Sequence, residues 1–400
     1  MNMPHPVGKH ASDLLLQFRT GTEEQAKHPF DDGCVQIIEQ GVAAFAEQML
    51  ESLYENIYCS LARFTIYDGL ADVYTYLSLL NGKPDCVLLF RFAGPTVIVI
   101  NQQISLETEQ IKRFCTTVFE RYPSVAHVRF HALRASIAGR QLALIYQEVP
   151  VVEENIVVLP ESTAQYLQAM PAQSRGRMLK SIRKARSDNA SYEFEILERS
   201  QIAVEHVDAI ARLAAQRMLG KGCEPYLDEG EVQAMARLAQ THGSLGVIRI
   251  EGRFVAGTLS YRVGTRWFSR VIAHDPALNR YGLGNQLQLQ VILAAIDQGA
   301  REFWMMGGGG TDKARFLARR TMLNSISVYR SRSAALGAWR SYAANDLRRG
   351  IFSFKESVKT LSGEDSLGGR TMAGMLGAAR ALKHAGRRVG QLARHGPGHP

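Results

Sequence analysis

The most regular pattern of apolar and polar residues lies in the last third of the chain. Trp267 to Ala273 is β-branched and aromatic, which predicts a buried strand. From Asn285 onward, apolar positions recur at helical spacing and predict a buried helix that ends at Gly299. Arg301 to Met306 predicts a second strand, which a run of four glycines stops. The predicted order is therefore strand, loop, helix, strand.

The loop ahead of that helix carries Gly282 and Gly284. Glycines at such a place let backbone amides approach a ligand at the positive end of a helix. A phosphate or diphosphate is the natural occupant. The loop is not a Rossmann fingerprint, because Leu287 stands where the third glycine belongs. The chain also has no phosphate loop ending in Gly-Lys-Ser/Thr.

The same order of elements is predicted twice along the chain. Ahead of the glycine loop we expect a strand at 192–197, helices at 203–218 and 231–241, and a hairpin of strands 245–250 and 254–263. In the first half we expect a helix at 35–54, a strand at 56–67 and a hairpin of strands 86–92 and 96–101. A helix capped by Ser105 and strands at 125–130 and 142–147 follow. Residues 101–105 contain no glycine, so this half is predicted to have lost the phosphate site.

Two segments of the chain are strongly basic. Residues 174–186 predict an amphipathic helix with no acid among its cations, which include Arg175, Lys180, Arg183, Lys184 and Arg186. A solvated helix face and a docking surface for an anion both fit this pattern. The tail beyond Ser331 combines arginines and glycines with an apolar stripe. It fits either contact with an anionic membrane or a disordered, solvated segment.

The composition indicates a globular protein with two or three domains. The chain has 400 residues, of which 46% are hydrophobic and 21% charged. Its net charge of +9 favours anionic partners. Five cysteines without metal-ligand spacing predict free thiols in a reducing cytoplasm and no metal site. We recognise no signal peptide and no transmembrane segment, so a cytoplasmic location is predicted.

We divide the chain into five segments on these patterns. The expected organisation is a flexible arm at 1–33, a degenerate α/β domain at 34–158, a basic linker helix at 159–190, an active α/β domain at 191–335 and a basic helical or disordered tail at 336–400. The two α/β segments have the same order of elements, which indicates tandem related domains.

Two stretches of sequence resemble a known family. They are "LPESTAQYLQAMPAQSRGRMLKSIRKAR" and "YGLGNQLQLQVILAAIDQGAREFWMMGGGGTDKARF". They resemble the cellulose-biosynthesis (CelD-type) acyltransferases of the GNAT superfamily, which are close to the Fem-type aminoacyl ligases. The resemblance extends from Leu159 to Arg330 and is only architectural before that. It implies an α/β fold of tandem GNAT-like domains, with mixed central sheets flanked by helices.

The resemblance also implies the donor. In this family the loop before the third helix binds the diphosphate of coenzyme A, with the usual pattern Gln/Arg-x-x-Gly-x-Gly/Ala. The matching positions are Asn279, Gly282 and Gly284, so the first position departs from the pattern. Acyl-CoA, most simply acetyl-CoA, is then the expected co-substrate. The cofactor-binding residues implied are Asn279, Arg280, Tyr281, Gly282, Leu283, Gly284 and Asn285.

Acyl transfer also needs a base for the acceptor and a donor to the thioester oxygen. His274 and Asp275 follow the central strand, Tyr281 lies in the loop, and Lys313 matches the lysine after the last glycine strand of the family. These four are the candidate catalytic residues. Each also has a structural interpretation, as a packing histidine, a turn-starting aspartate, a core tyrosine and a surface lysine.

The acceptor is expected to enter near the loop after the first helix of the second half. Arg217, Glu224 and Tyr226 are the candidate substrate-binding residues there, with Cys223 between them. A flexible loop with no ligand is the structural alternative for this segment.

The resulting hypothesis is a cytoplasmic or membrane-peripheral acyltransferase. It moves an acyl group, most simply acetyl, from acyl-CoA to an amine or hydroxyl of a cell-envelope or exopolysaccharide precursor, which is a small molecule, a glycan or a peptide. The acceptor class comes from the resemblance. Two alternatives stay open: aminoacyl transfer from a charged tRNA, and a non-catalytic module that binds CoA or nucleic acid.

Overall fold

The computed structural model describes residues 34–338, apart from residues 136, 138, 221, 223, 306 and 308–312. Several predictions lie outside these described residues. They concern the arm at 1–33, Cys223, the glycines at 308–310 and the basic tail beyond residue 338.

The first half of the chain supplies the strands of one end of the sheet. Its elements are β1 (Cys34–Gln40), α1 (Ala46–Tyr54), β2 (Val73–Leu80), β3 (Lys83–Ala93), β4 (Thr96–Val99), α2 (Thr108–Arg121), β5 (His127–Leu133) and β6 (Ile145–Val158). Short helical turns at Ile57–Cys59, Leu61–Arg63 and Phe64–Asp68 join α1 to β2. We call these turns the 57–68 segment. A further turn, Gly139–Leu142, precedes β6.

The second half of the chain supplies the strands of the other end of the sheet. Its elements are α3 (Thr163–Ala169), α4 (Ala172–Asp188), β7 (Glu193–Glu198), α5 (Val204–Leu219), α6 (Glu229–His242), β8 (Gly243–Ile250), β9 (Arg253–Val263), β10 (Arg266–His274), α7 (Leu283–Asp297), β11 (Glu302–Met305), β12 (Arg319–Tyr329) and α8 (Arg332–Gly337). Short 3₁₀ turns lie at Arg199–Gln201, Pro276–Tyr281 and Ala314–Phe316. No helix among the described residues has the length and apolar character needed to cross a bilayer.

All these strands form one mixed sheet. Within the described residues it has twelve strands, in the order β1-β2-β3-β4-β5-β12-β6-β11-β10-β9-β8-β7. The pairs β4–β5 and β10–β11 are parallel. The other neighbouring strands are antiparallel. The predicted α/β class, with helices flanking a mixed sheet in tandem halves, is confirmed.

The two halves exchange their last strands at the centre of the sheet. β6 ends the first half but pairs with β11, where Val158 lies opposite Glu302. β12 ends the second half but pairs with β5, where Tyr329 lies opposite His127. β6 and β12 also pair with each other along their shared length. The expected separate sheets are therefore joined into one.

The second half buries side chains on both faces of its sheet. Trp267 of β10 packs in a cluster with Leu287 of α7 and Met178 of α4. Its neighbour Phe268 packs in a different cluster, with Val207 of α5 and Met235 of α6. Successive strand residues point to opposite faces, which explains the division. We call the two sides the α7 face and the α6 face.

The predicted helix at 35–54 is wrong over its first part. Residues 34–40 form strand β1, and the helix begins only at Ala46. Each residue of β1 pairs with one in β2, from Cys34 opposite Leu80 to Gln40 opposite Tyr74. This ladder joins residues about forty positions apart, so local periodicity did not reveal it.

The predicted strand at 56–67 is also wrong, because side-chain caps start helical turns there. Asn56 accepts a hydrogen bond from the amide of Tyr58 at 2.9 Å. Ser60 accepts one from the amide of Arg63 at 3.2 Å. Ser105 does not cap the next helix, whose N-cap is Glu107. It instead forms a β-bridge with Arg134.

Candidate active site

The glycine loop is built by a turn that leads β10 into α7. The carboxylate of Asp275 accepts a hydrogen bond from the amide of Ala277 at 2.9 Å and so starts the turn Pro276–Tyr281. Gly282 follows with φ of 61°, a left-handed conformation that favours glycine. The helix α7 then begins at Leu283, two residues before the predicted start.

Two amides of this loop have no hydrogen-bond acceptor among the described residues and can bind an anion. The amide of Gly282 donates to the carbonyl of Asn279 at 3.0 Å, and that of Asn285 donates to the carbonyl of Gly282 at 3.1 Å. The amides of Leu283 and Gly284 lie in the first turn of α7, where the helix itself offers no acceptor. At a helix N-terminus such groups attract anions. Of the residues expected to bind the cofactor, Leu283 and Gly284 are the two that offer such amides.

A chain of polar side chains holds the loop from behind. The amide group of Gln286 donates to the carbonyl of Tyr281 at 2.7 Å, and the hydroxyl of Ser181 in α4 donates to the same oxygen. Gln286 also accepts a hydrogen bond from the hydroxyl of Tyr192 at 3.3 Å. Gln290 donates to that hydroxyl at 2.9 Å. This buried network fixes the direction of the loop.

A cavity of about 450 Å³ lies between α4 and the loop. We call it the donor cavity. Gly282, Asn285 and Gln286 line one side of it, and Arg177 and Ser181 of α4 line the other. Arg280 is exposed nearby, with its guanidinium 4.8 Å from the ring of Tyr281. The basic linker helix is therefore a wall of the anion site.

His274 and Asn279 support the loop rather than face the donor cavity. Nε2 of His274 lies 2.9 Å from Oδ1 of Asn279. Nδ1 of His274 is buried and has no hydrogen-bond partner in the described part of the chain. A Cβ atom on Gly284 would come within 3.1 Å of that nitrogen. Glycine at 284 thus lets the imidazole pack against the start of α7.

Asp275, Tyr281 and Lys313 have different environments. The carboxylate of Asp275 is engaged by Ala277 and lies 3.7 Å from a guanidinium nitrogen of Arg253. Tyr281 is buried under the loop. The ammonium of Lys313 is buried, with no hydrogen-bond partner among the described residues. Burial lowers the pKa of Lys313, and the charge of Glu153 acts in the opposite direction.

β10 and β11 separate beside the loop. They pair only from Arg266 opposite Glu302 to Phe268 opposite Trp304. β10 then continues to His274 with a bulge at Arg270, whereas β11 ends at Met305. Where parallel strands part, main-chain groups become available to a bound ligand.

The equivalent place in the first half is closed by the chain itself. The amide of Gln103 donates to the carbonyl of Ala132 at 2.7 Å, and the amide of Arg134 donates to that of Ile104 at 2.8 Å. The side chain of Ile104 is buried. The segment after β4 therefore occupies the edge of β5 that a donor would need.

A second cavity, of about 370 Å³, opens on the α6 face beside the bulge. We call it the α6-face cavity. Tyr58, Arg63 and Tyr67 of the 57–68 segment line it together with Glu231 and Arg270. Sequence reasoning missed all five. Glu231 was recognisable as an acid in the first turn of a helix, but the others have no local signature.

The predicted acceptor residues do not converge on either cavity. Arg217, Glu224 and Tyr226 are exposed and line neither the donor cavity nor the α6-face cavity. Tyr226 is 52% exposed. Among the described residues, no cluster of His, Cys, Asp and Glu side chains is arranged to hold a metal ion.

Comparison with known proteins gives a domain match and a shared fold. Residues 172–314 match the family model described as an acetyltransferase (GNAT) domain. This stretch includes α4, the glycine loop and α7. No curated protein matches the chain.

Among solved structures, FemX is 10% identical with a TM-score of 0.55, over 74% of this chain and 99% of that one. L-PGS from Bacillus licheniformis is 14% identical with a TM-score of 0.45, over 78% and 98%. A tandem GNAT protein from the clavulanic acid biosynthesis pathway is 9% identical with a TM-score of 0.37, over 73% and 98%. The likeness to FemX shows a shared fold. The family match at residues 172–314 identifies a GNAT acetyltransferase domain, and therefore a transferase.

Proposed function

We propose that the donor is an acyl-CoA, most simply acetyl-CoA, whose diphosphate binds at the start of α7. The observation that carries the proposal is the pair of open amides at Leu283 and Gly284 beside a cavity of about 450 Å³. Arg177 lines that cavity and Arg280 is exposed close to it. Cationic side chains and helix amides together suit a diphosphate.

The acyl group would pass to an amine or hydroxyl of a cell-envelope or exopolysaccharide precursor. The acceptor nitrogen or oxygen attacks the thioester carbonyl, a new C–N or C–O bond forms, the C–S bond breaks, and the acceptor proton ends on the CoA thiol. Lys313 is the candidate to bind the carbonyl oxygen, because its buried ammonium has no partner in the described structure. The resemblance to CelD-type enzymes supports the acceptor class.

Calorimetric titration with acetyl-CoA tests the donor. We expect Arg177→Glu to weaken binding about tenfold, or about 1.4 kcal/mol, because the side chain lines the donor cavity. Lys184→Glu is the matched control, since it makes the same charge change at an exposed site on α4 outside the cavity lining. Absence of heat with the unaltered chain would remove acyl-CoA as the donor.

A charged tRNA is a second candidate donor, favoured by the outer face of α4. Arg177, Lys180, Arg183 and Lys184 are exposed on that helix. Within the described residues none of them has an acidic partner. A row of cations beside an anion site suits a nucleic-acid backbone, whose binding weakens steeply with salt.

The salt dependence of binding separates the two donors. A tRNA held by all four cations gives a slope of about −3 in a plot of log K against log salt, and Lys184→Glu makes it shallower. Acetyl-CoA binding by the same variant stays unchanged. A shallow tRNA slope that Lys184→Glu does not alter would exclude this second donor.

A further inference from the structure

The α6-face cavity contains an ion pair between Arg270 and Glu231, in which Oε2 of Glu231 has no hydrogen-bond partner among the described residues. Nη2 of Arg270 lies 2.6 Å from Oε1 of Glu231. The hydroxyl of Tyr67 donates to the same oxygen at 3.1 Å. Both interactions end on Oε1, so Oε2 can accept a hydrogen bond from a ligand.

The protonation states of this group are fixed by its surroundings. Burial works to lower the pKa of Arg270, but the hydrogen bond and charge of Glu231 outweigh it and raise that pKa. Burial, reinforced by the charge of Glu231, raises the pKa of Tyr67 to about 12. Near neutral pH Arg270 is therefore charged, and the hydroxyl of Tyr67 keeps its proton and donates it to the hydrogen bond with Glu231.

A second guanidinium lines the same cavity from the first half. Arg63 lies over two aromatic rings, 5.3 Å from the centroid of Tyr58 and 5.4 Å from that of Tyr67. Its Nη1 binds Asp68 at 2.8 Å. Stacking and the ion pair hold this planar group in place, and a guanidinium keeps further N–H donors beyond the one that Asp68 occupies.

We infer that the α6-face cavity binds the acceptor, and that this acceptor is a zwitterion: an amine that carries a carboxylate or phosphate group. The ammonium binds Oε2 of Glu231, and the anionic group binds Arg63 and Arg270. That this ligand is the acceptor of the acyl group rests on the proposed function. The ligand class rests only on the charges that line the cavity.

The position and size of the cavity fit this assignment. Ser269 and Gly307 also line it, so it reaches the place where β10 and β11 part. Its volume of about 370 Å³ is at the small end of ligand sites and suits a molecule the size of an amino acid. Tyr58 and Phe268 add an aromatic wall, with ring centroids 6.2 Å apart.

In this inference the first half of the chain contributes to ligand binding, although the place in it that corresponds to the donor site is closed. Tyr58, Arg63 and Tyr67 belong to the 57–68 segment, whereas Glu231 and Arg270 belong to the second half. Without the 57–68 segment the cavity would lose the stacked guanidinium and two aromatic rings. The first half therefore completes the acceptor site.

Calorimetry on the full chain without donor tests the inference, using probes that share a skeleton. The first series is L-phenylalanine, phenethylamine and 3-phenylpropionate, and the second is O-phosphoethanolamine and ethanolamine. We expect the zwitterion of at least one series to bind ten times more tightly than its singly charged analogues. The first series reports a carboxylate ligand and the second a phosphate ligand. If neither zwitterion is preferred, the inference is wrong.

Variants assign the two charges of the ligand. Glu231→Gln and Arg63→Met should each weaken binding of the preferred zwitterion at least tenfold and abolish its advantage over the analogue that lacks the matching charge. Glu229→Gln, in the same first turn of α6, and Arg121→Met, whose guanidinium lies 6.0 Å from the ring of Tyr122, are the matched controls. Equal losses in variants and controls would overturn the assignment.

Acetyl-CoA titration of the same samples keeps this inference separate from the donor proposal. Failure of acetyl-CoA to bind the unaltered chain overturns the donor alone. Absence of a zwitterion preference in the unaltered chain, while acetyl-CoA still binds to it, overturns the acceptor site alone.

Discussion

Ser181 and Gln286 meet on one oxygen, the carbonyl of Tyr281. Its two hydrogen bonds hold this carbonyl in place and so set the direction of the amides that follow. A ligand meets a site whose geometry is fixed before binding, which reduces the entropy lost on binding.

We expect Ser181→Ala to lower the free energy of unfolding by about 1 kcal/mol and to raise the Kd for acetyl-CoA about three- to tenfold. Gln286→Leu should have the larger effect, because it removes hydrogen bonds to Tyr281, Ser181 and Tyr192. Ser174→Ala is the control, since Ser174 lines the same cavity on the same helix. Chemical denaturation and calorimetry measure the two quantities, and equal effects at positions 174 and 181 would contradict the positioning role.

Lys313 destabilises the fold at neutral pH, because burial disfavours its charge and lowers its pKa. Below its lowered pKa the lysine is protonated in both the folded and unfolded states, so the whole penalty is present. Above that value the folded chain releases the proton while the unfolded chain retains it. The penalty therefore declines as the pH rises towards 10.5, the ordinary lysine value.

We expect Lys313→Met to raise the free energy of unfolding by about 1–2 kcal/mol at pH 7 and by less at pH 10. Thermal unfolding at the two pH values measures the difference, and Lys180→Met, at an exposed lysine of α4, should show neither effect. Acyl transfer by the 313 variant should fall despite the gain in stability. A gain that is the same at both pH values would mean that titration of Lys313 is not its cause.

At the scale of elements, α7 lies close against the sheet because β8 has a glycine beneath it. A Cβ atom on Gly246 would overlap Cγ2 of Val291 and come within 3.4 Å of Cδ1 of Leu287. Both side chains belong to α7, whose first turn carries the open amides. Close packing of this helix on the sheet therefore determines where the anion site lies.

We expect Gly246→Ala to lower the free energy of unfolding by about 1–3 kcal/mol through overpacking, and to weaken acetyl-CoA binding as α7 shifts. Gly176→Ala is the opposite case, because nothing lies within 4 Å of its added Cβ and it sits inside α4. It should stabilise the chain by about 1 kcal/mol. Chemical denaturation measures both, and a neutral Gly246→Ala would show that the contact between β8 and α7 is loose.

The sequence predicted best those elements whose signals are local. β8, β9, β10, α7 and β11 each lie within two residues of the predicted bounds, because their apolar periodicity and glycine stops are contained in the segments themselves. β2 and β12 were not predicted. β12 pairs with β5 and β6, which lie far along the chain, and the exchange of β6 and β12 likewise has no local signal. β2 forms a hairpin with the next strand β3, and its turn residues Asn81 and Gly82 are a local signal that sequence reasoning missed.

The candidate site divides in the same way. The donor loop was predicted from Gly282 and Gly284, which lie close together in the sequence. The structure adds that only some of the loop amides lack a hydrogen-bond acceptor among the described residues. Arg63 and Glu231 come together only through the packing of the 57–68 segment against α6, across 168 positions of sequence. No motif in either half predicts that juxtaposition.

At the scale of the whole molecule, the exchange of strands makes each half depend on the other. β11 is flanked by β6 from the first half, and β5 is flanked by β12 from the second. Neither half has a complete sheet of its own. This differs from tandem domains joined by a linker, which fold independently.

We expect residues 159–400 expressed alone to aggregate or to lack a cooperative unfolding transition, because β11 and β12 lose the strand between them and expose unpaired edges. Co-expression with residues 1–158 should restore a complex that unfolds cooperatively and binds acetyl-CoA. This two-piece protein is the control, since it has the same break but keeps every strand. Size-exclusion chromatography, circular dichroism and calorimetry compare the two samples. If residues 159–400 fold and bind acetyl-CoA alone, the exchanged strand is dispensable and the second half is a domain in its own right.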